Sequence, residues 1–287
     1  MFLTLNKSWA RVDCYMLNAD GILVSAYQEL PNDLLEKLHK VGTVTELLRF
    51  ENNKLLFWEY HYFRITAALR RHRFKIPINY TLDFFETEIK KLVEADKNLE
   101  NKALITIQFI PFSEGISFLM SAEPVQALKT QNRKADYSLD LFKETGIQAH
   151  SLSNLSSTNT TVYTIAKRYA FENGLSDCIL LNTEKNLVET VQGTLYLFQP
   201  SKIITPHLES GCQDFALRAA FNDWLQKNEK WGTLIEQAVN PFELQKSTEV
   251  IVLSLTSGAQ AVSQYRKTGY QMQIAPSLFS AFFEETS

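Results

Sequence analysis

The stretch NTEKNLVETVQGTLYLFQPSKIITPHLESGCQDFALR, Asn182 to Arg218, decides how the rest of the chain is read. Its apolar residues come in short runs, LVETVQGTLYLFQ and KIIT, each bounded by polar turn formers, Gly or Pro, as successive strands are. The turn-sized gap TEKN separates this run from another strand, CILLN (Cys178 to Asn182). Beyond Pro206 the apolar spacing becomes helical from about Gln213 to Asn228. A helix over Leu234–Val239 or nearby and the strand EVIVLSLT, Glu249 to Thr256, complete an α+β half.

Upstream of this stretch, Asn159 is placed to cap a helix that runs to about Asn173, where Gly174 supplies a stop. Further back, VQALKTQNRKADYSLD (Val125 to Asp140) has no apolar periodicity and reads as a connector. The first 120 or so residues mix strand-like runs (ILVSAY, KLLFWEYHYF, ALITIQFIPF, ISFLMSAEP) with helical patterns at Asn32–His39, Tyr62–Arg73 and Leu82–Leu99. The expected division is a small α+β domain over residues 1–121, a connector over 122–135 and a larger α+β domain over 136–287.

The bulk composition narrows the classes of function. A chain of 287 residues with 45% hydrophobic content buries a substantial core. A net charge of −3 leaves no electrostatic footprint for nucleic acid or an anionic membrane, and the basic cluster RRHRFK, Arg70 to Lys75, reads as a solvated helix end. The N-terminal residues lack the charged-then-apolar pattern of an export signal, and no window approaches 18 uninterrupted apolar residues. Cys14, Cys178 and Cys212 have no C-x-x-C spacing, which argues against a zinc site or a disulfide framework. The expected setting is the cytoplasm.

Three segments carry a resemblance. GTVTELLRF with EYHYFRITAALRRHRF contributes Glu46, Arg49, His61 and Arg64; the opening stretch contributes Glu189, Thr205, Pro206, Leu208, Gly211 and Arg218; EVIVLSLTSGAQAV contributes the hydroxyl pair Thr256 and Ser257. In this order and spacing they resemble the fold-type IV pyridoxal phosphate enzymes, which include branched-chain and D-amino-acid aminotransferases and aminodeoxychorismate lyases. The resemblance implies an α+β, two-domain architecture with a barrel-like sheet in the larger domain, a pocket between the domains, and a homodimer. It also implies that Arg64, Thr256 and Ser257 face the cofactor phosphate and that Glu189 faces its ring nitrogen. The residue types suit those tasks. Arginine offers permanently charged planar donors to a phosphate, and an acid beside the pyridine nitrogen keeps it protonated so that the ring acts as an electron sink.

The departures from the family pattern fall at the chemistry. Family members carry K-x-x-N before the helix, the lysine forming the Schiff base; with Asn159 on the asparagine, the motif here is SSTN and Ser156 takes the lysine position. A serine does not form the covalent link or shuttle the proton as that lysine does. Lys143 lies too far upstream, and Lys167, eleven residues downstream, would sit roughly 16 Å along a helix axis, beyond a lysine's reach. Thr194 stands where the family has asparagine, and Phe215, Ala216 and Leu217 stand at its glycine-led phosphate turn. Glycine there lets backbone N–H groups close on an anion, and a phenylalanine crowds that approach. His61 reads as a structural histidine; Tyr27, Tyr60 and Tyr163 are left unassigned, since aromatics at such positions are usually core.

Two functions follow. One is a class IV aminotransferase-like protein that is catalytically inactive or strongly altered, a binding or interaction protein that holds pyridoxal phosphate weakly or not at all and otherwise a phosphate or other small anion. The alternative is a pyridoxal phosphate-dependent aminotransferase or aminodeoxychorismate lyase that still acts on an amino acid or amino-chorismate with a base other than lysine.

Overall fold

The computed structural model describes residues 16–25, 27–40, 43–99, 102–112, 115–128, 136–155 and 159–286. Cys14, Ser156 and connector residues 129–135 lie outside them.

In the first half, strict alternation builds a sheet. Along β5 (Lys102–Phe112), Ala103, Ile105, Ile107 and Phe109 are buried while Leu104, Thr106 and Gln108 between them are only half-buried. β5 pairs antiparallel with β3 (Val44–Glu51) and with β6 (Gly115–Pro124), at the centre of a six-stranded sheet ordered β2-β1-β6-β5-β3-β4. Its outer strands are β1 (Leu17–Ala19), β2 (Ile22–Val24) and β4 (Lys54–Leu55). Helices α2 (Trp58–Arg71) and α3 (Leu82–Ala95) pack Ile65, Leu69, Phe85, Ile89 and Leu92 against this sheet. The shorter α1 (Asn32–Lys40) packs Leu34 against a separate cluster that includes Ile110 and Leu119.

The second half holds two five-stranded sheets. One is ordered β12-β11-β10-β13-β14, the other β16-β15-β7-β8-β9. The elements in chain order are β7 (Ser138–Leu141), α4 (Thr160–Glu172), β8 (Asp177–Leu181), β9 (Leu187–Thr190), β10 (Thr194–Gln199), β11 (Lys202–Pro206), α5 (Ala216–Lys227), β12 (Thr233–Gln237), α6 (Phe242–Lys246), β13 (Glu249–Ser254), β14 (Gly258–Ala261), β15 (Gln264–Tyr265), β16 (Thr268–Gly269) and α7 (Ala275–Thr286). Every residue of β10 and β13 is buried, because both faces are covered. On one face, Tyr196 and Phe198 meet Phe221 of α5 and Phe279 and Phe282 of α7. On the other, Leu195, Leu197, Val250 and Val252 meet Leu139, Ile179 and Leu187 of the second sheet.

The two sheets curl into the barrel-like core that the resemblance implies. After β14, Val262 still bonds to Val250, and the next residue, Ser263, donates to Tyr137 beside the second sheet at 2.9 Å. At the other end, Leu187 of β9 donates to Val239, just beyond β12, at 2.7 Å.

Two local readings are corrected. The run KLLFWEYHYF is not a strand beyond Leu55: its aromatic content suggests one, but Trp58, His61, Ile65 and Leu69 fall on one helical face, and burial of that face makes α2. The helix expected over Leu234–Val239 or nearby appears instead at Phe242–Lys246, while Thr233–Gln237 is a strand laid parallel to β11 from Lys202↔Thr233 to Pro206↔Gln237. Pairing along β11 wins over the weak helical spacing of a five-residue segment.

Candidate functional site

Glu46 organises the site. Buried on β3, it faces α2, where His61 and Arg64, three residues apart, share a helix face. Its carboxylate serves both: Oε1 is 2.5 Å from His61 Nδ1, and Oε2 accepts from Arg64 Nη1. Imidazole and guanidinium therefore sit on the two oxygens of one acid. Nε2 of His61, 1% exposed, has no hydrogen-bond partner among the described residues.

These side chains border a cavity of about 170 Å³. Its opposite wall is the start of α5, with Phe215, Ala216 and Leu217, and Thr256 closes another side. Phe215 is the N-cap residue of α5, but no side chain caps the helix, and helix geometry leaves its first N–H groups without intrahelical acceptors. The Phe215 ring centroid is 5.7 Å from the Arg64 guanidinium carbon.

The remaining border comes from the β9–β10 and β13–β14 turns. Gly193 lies against β13 so closely that a Cβ would be 2.3 Å from the Leu253 carbonyl oxygen, so this position requires glycine. Ser254 Oγ lies 3.1 Å from Thr256 Oγ1 and 2.7 Å from Ser257 Oγ, so the two predicted hydroxyls are joined through a third that the sequence reading left out.

Glu189 is held apart from this cavity's border. It is fully buried; the Tyr163 hydroxyl donates to Oε1, and the Gln213 N–H donates to Oε2 at 3.1 Å. Burial pushes the carboxyl up to about 8, against the opposing effects of the Tyr163 bond, the Gln213 N–H and the positive charges of Arg218 and Arg64. Burial also raises the Tyr163 hydroxyl well above its ordinary value. Arg218, 3% exposed, is spent on the Pro206 carbonyl at 3.1 Å and Glu236 at 2.5 Å, which ties α5 to β11 and β12.

The structure thus brings together Arg64, Phe215, Ala216, Leu217 and Thr256 around one cavity, with Ser257 linked to it through Ser254. Glu189, Thr194 and Ser257 are not among its bordering residues. Thr194 is buried, and its hydroxyl has no partner among the described residues. Lys143 and Lys167 are exposed. Two groups of the site escaped the sequence reading: Tyr163, left unassigned although it lies one turn beyond Asn159, and Ser254, within the strand that ends at the hydroxyl pair. Among the described residues no cluster of His, Cys, Asp or Glu is placed to hold a metal ion, and no helix is long and apolar enough to cross a membrane.

The sequence pattern of the class IV amino-transferase family matches residues 43–265, which include Glu46, Arg64, Glu189 and α5. The chain belongs to the class IV aminotransferase family. Solved structures agree on the architecture. The Escherichia coli branched-chain amino acid aminotransferase superposes with a TM-score of 0.81 at 15% identity, over 96% of this chain and 95% of that one. The Thermobaculum terrenum branched-chain amino acid aminotransferase, in its pyridoxal phosphate form, gives 0.80 at 17% identity over 96% and 94%. A putative 4-amino-4-deoxychorismate lyase from Legionella pneumophila gives 0.74 at 21% identity over 87% and 93%. Among curated proteins none matches the sequence. The mixed α+β architecture is thus that of the class IV aminotransferases, with a barrel-like second half.

Proposed function

We propose that this class IV aminotransferase relative is a binding protein on an enzyme fold: it holds a small anion beside Arg64 and does not perform lysine-dependent transamination or lyase chemistry. The observation that carries this reading is at Glu189. Both carboxylate oxygens are already served, by Tyr163 and by the Gln213 N–H, and burial raises the acid to about 8. Pyridoxal phosphate therefore fits the chain unevenly: Arg64, the start of α5 and Thr256 suit its phosphate, while Glu189, the acid that would serve its ring, is engaged by Tyr163 and Gln213 and does not border the cavity that Phe215 lines.

Other features support the reading. The sequence has Ser156 at the family's lysine position, and among the described residues no lysine borders the cavity. At about 170 Å³ the cavity is also smaller than the roughly 300–1,000 Å³ of typical small-molecule sites. The homodimer, the cytoplasmic setting and a division of the chain at residues 122–135 remain part of this proposal.

The second reading, a pyridoxal phosphate enzyme with a base other than lysine, is favoured by the gathering of Arg64, Ala216, Leu217 and Thr256 around one cavity. Calorimetric titration separates the two. The expected result is binding of inorganic phosphate, with pyridoxal phosphate bound no tighter than about 1 μM, near −8 kcal/mol. Sub-micromolar binding of the cofactor supports the second reading, and no binding of phosphate refutes the anion site.

A further inference from the structure

A second concavity lies apart from the cavity at Arg64, and no residue borders both. It is a groove of about 580 Å³ where the two halves of the chain meet. One wall is β4, the start of α2 and one face of α3; the other is the later part of α5 with the end of α7. Its volume falls within the roughly 300–1,000 Å³ of typical small-molecule sites, which the cavity at Arg64 does not reach. Several contacts fix the walls. Phe57 sits at φ 55° and ψ 34°, a left-handed conformation that is costly for a bulky residue. Its ring is stacked on Phe282 of α7 with centroids 5.5 Å apart, so a residue of the first half is seated in the core of the second. Across the same junction the Tyr60 hydroxyl donates to Asp223 Oδ2 at 3.0 Å, and the Trp224 N–H is held by Glu285 at 2.7 Å. Walls already ordered in this way lose little freedom when a molecule enters.

The border of the groove is aromatic, with a surplus of unpaired cations. Trp58, Tyr60 and Trp224 supply ring surface. Of the six charged residues, Lys90 is paired with Glu86 at 2.8 Å, and Asp223 is engaged by Tyr60. Lys54 on the first-half wall, Lys227 on the second-half wall and Glu59 remain; all three are exposed, and none forms an ion pair among the described residues. Two cations against one acid favour a negative ligand, and the rings favour a flat apolar body. We propose that this groove is a binding site for an aromatic carboxylate, its ring against Tyr60 and Trp224 and its carboxylate drawn to the ammonium groups of Lys54 and Lys227. Both ammonium groups stand on flexible four-carbon stems and can turn toward a carboxylate in the groove. A small inorganic anion gains nothing from the rings, and an aromatic cation meets the two lysines as like charges. The proposal goes beyond the anion reading of the cavity at Arg64 and does not rest on it.

The test is calorimetry of the full chain with indole-3-acetate, beside tryptamine, which keeps the ring and reverses the charge, and acetate, which keeps the charge and lacks the ring. The expected result is one indole-3-acetate per chain, with tryptamine and acetate bound more weakly by roughly 10-fold or more. The double variant Lys54→Gln with Lys227→Gln should weaken indole-3-acetate on the order of 10-fold. Both lysines are exposed and have no ion pair to lose, so the fold is kept. Tyr60→Leu, which removes the ring and the bond to Asp223, should weaken it as well. A second titration with inorganic phosphate present, at matched ionic strength, should give the same affinity. No binding of indole-3-acetate, equal binding of tryptamine, binding unchanged by the lysine substitutions or displacement by phosphate each overturns the proposal. Phosphate titrated alone reports on the cavity at Arg64, so failure of either site is seen apart from the other.

Discussion

The Tyr163 hydroxyl on α4 donates to the Glu189 carboxylate on β9, and Glu189 is 0% exposed. Tyr163 and the Gln213 N–H together take both oxygens of this acid.

This closure makes stability depend on pH. The Glu189 carboxyl is raised to about 8 in the fold from an ordinary value of 4.5. Between those values the folded chain holds a proton that the unfolded chain has released, so stability is greatest below about pH 4.5 as far as this group is concerned, falls as pH rises, and levels off above about 8. Glu189→Gln keeps an acceptor for Tyr163 and removes the titration. Melting temperature measured from pH 5 to 8 should fall for the natural chain and change less for the variant; parallel curves would refute the assignment.

Arg49 joins regions far apart in sequence. It is fully buried on β3 and donates to Glu51 at 3.1 Å, to the Leu255 carbonyl at 2.8 Å and to the Gln126 carbonyl. Arg49→Met leaves Glu51 without its cation and two carbonyls without their donor. The expected loss is about 3–5 kcal/mol in urea unfolding, and a loss below about 1 kcal/mol would show that these bonds do not hold β3 to the β13–β14 turn.

Gly193→Ala tests how the cavity border is built. The added methyl would sit 2.3 Å from the Leu253 oxygen and 2.9 Å from Ser254 Cβ, so β10 and β13 must separate. The expected cost is about 1–3 kcal/mol, with weaker phosphate binding, because Ser254 and Thr256 are displaced. Unchanged melting and binding would contradict the close approach.

Much of this site is legible in the sequence because its residues lie in short local patterns. Glu46, His61, Arg64, Glu189 and Arg218 each stand at a fixed spacing from neighbours that define a strand end or a helix start. What those side chains touch is not local. That Glu46 takes both His61 and Arg64 depends on how α2 lies over β3, and that Glu189 is closed by Tyr163 depends on α4 packing on β8. The misread KLLFWEYHYF has the same cause: the aromatic content suggests a strand, and only the core that receives Trp58, His61 and Ile65 selects the helix.

Restoring a lysine is not expected to restore the chemistry. Ser156→Lys supplies an amine at the position that the proposed reading assigns to the family's lysine, but Phe215 still lies against Arg64, Arg64 is still shared with Glu46, and Glu189 is still bonded to Tyr163. The single variant should turn over amino acids more slowly than the roughly 1 per second of an ordinary enzyme, and the triple variant with Phe215→Gly and Thr194→Asn should do better. A single variant at or above that rate would show that the pocket residues are not the obstacle.

The most direct measurement for the central claim is the absorption spectrum of the full chain with one equivalent of pyridoxal phosphate, followed by borohydride reduction and mapping of any modified residue by mass spectrometry. The account predicts no stoichiometric reducible band and no single modified lysine. A stoichiometric band that reduces to an adduct on one lysine, with amino acids displacing it beforehand, would contradict it.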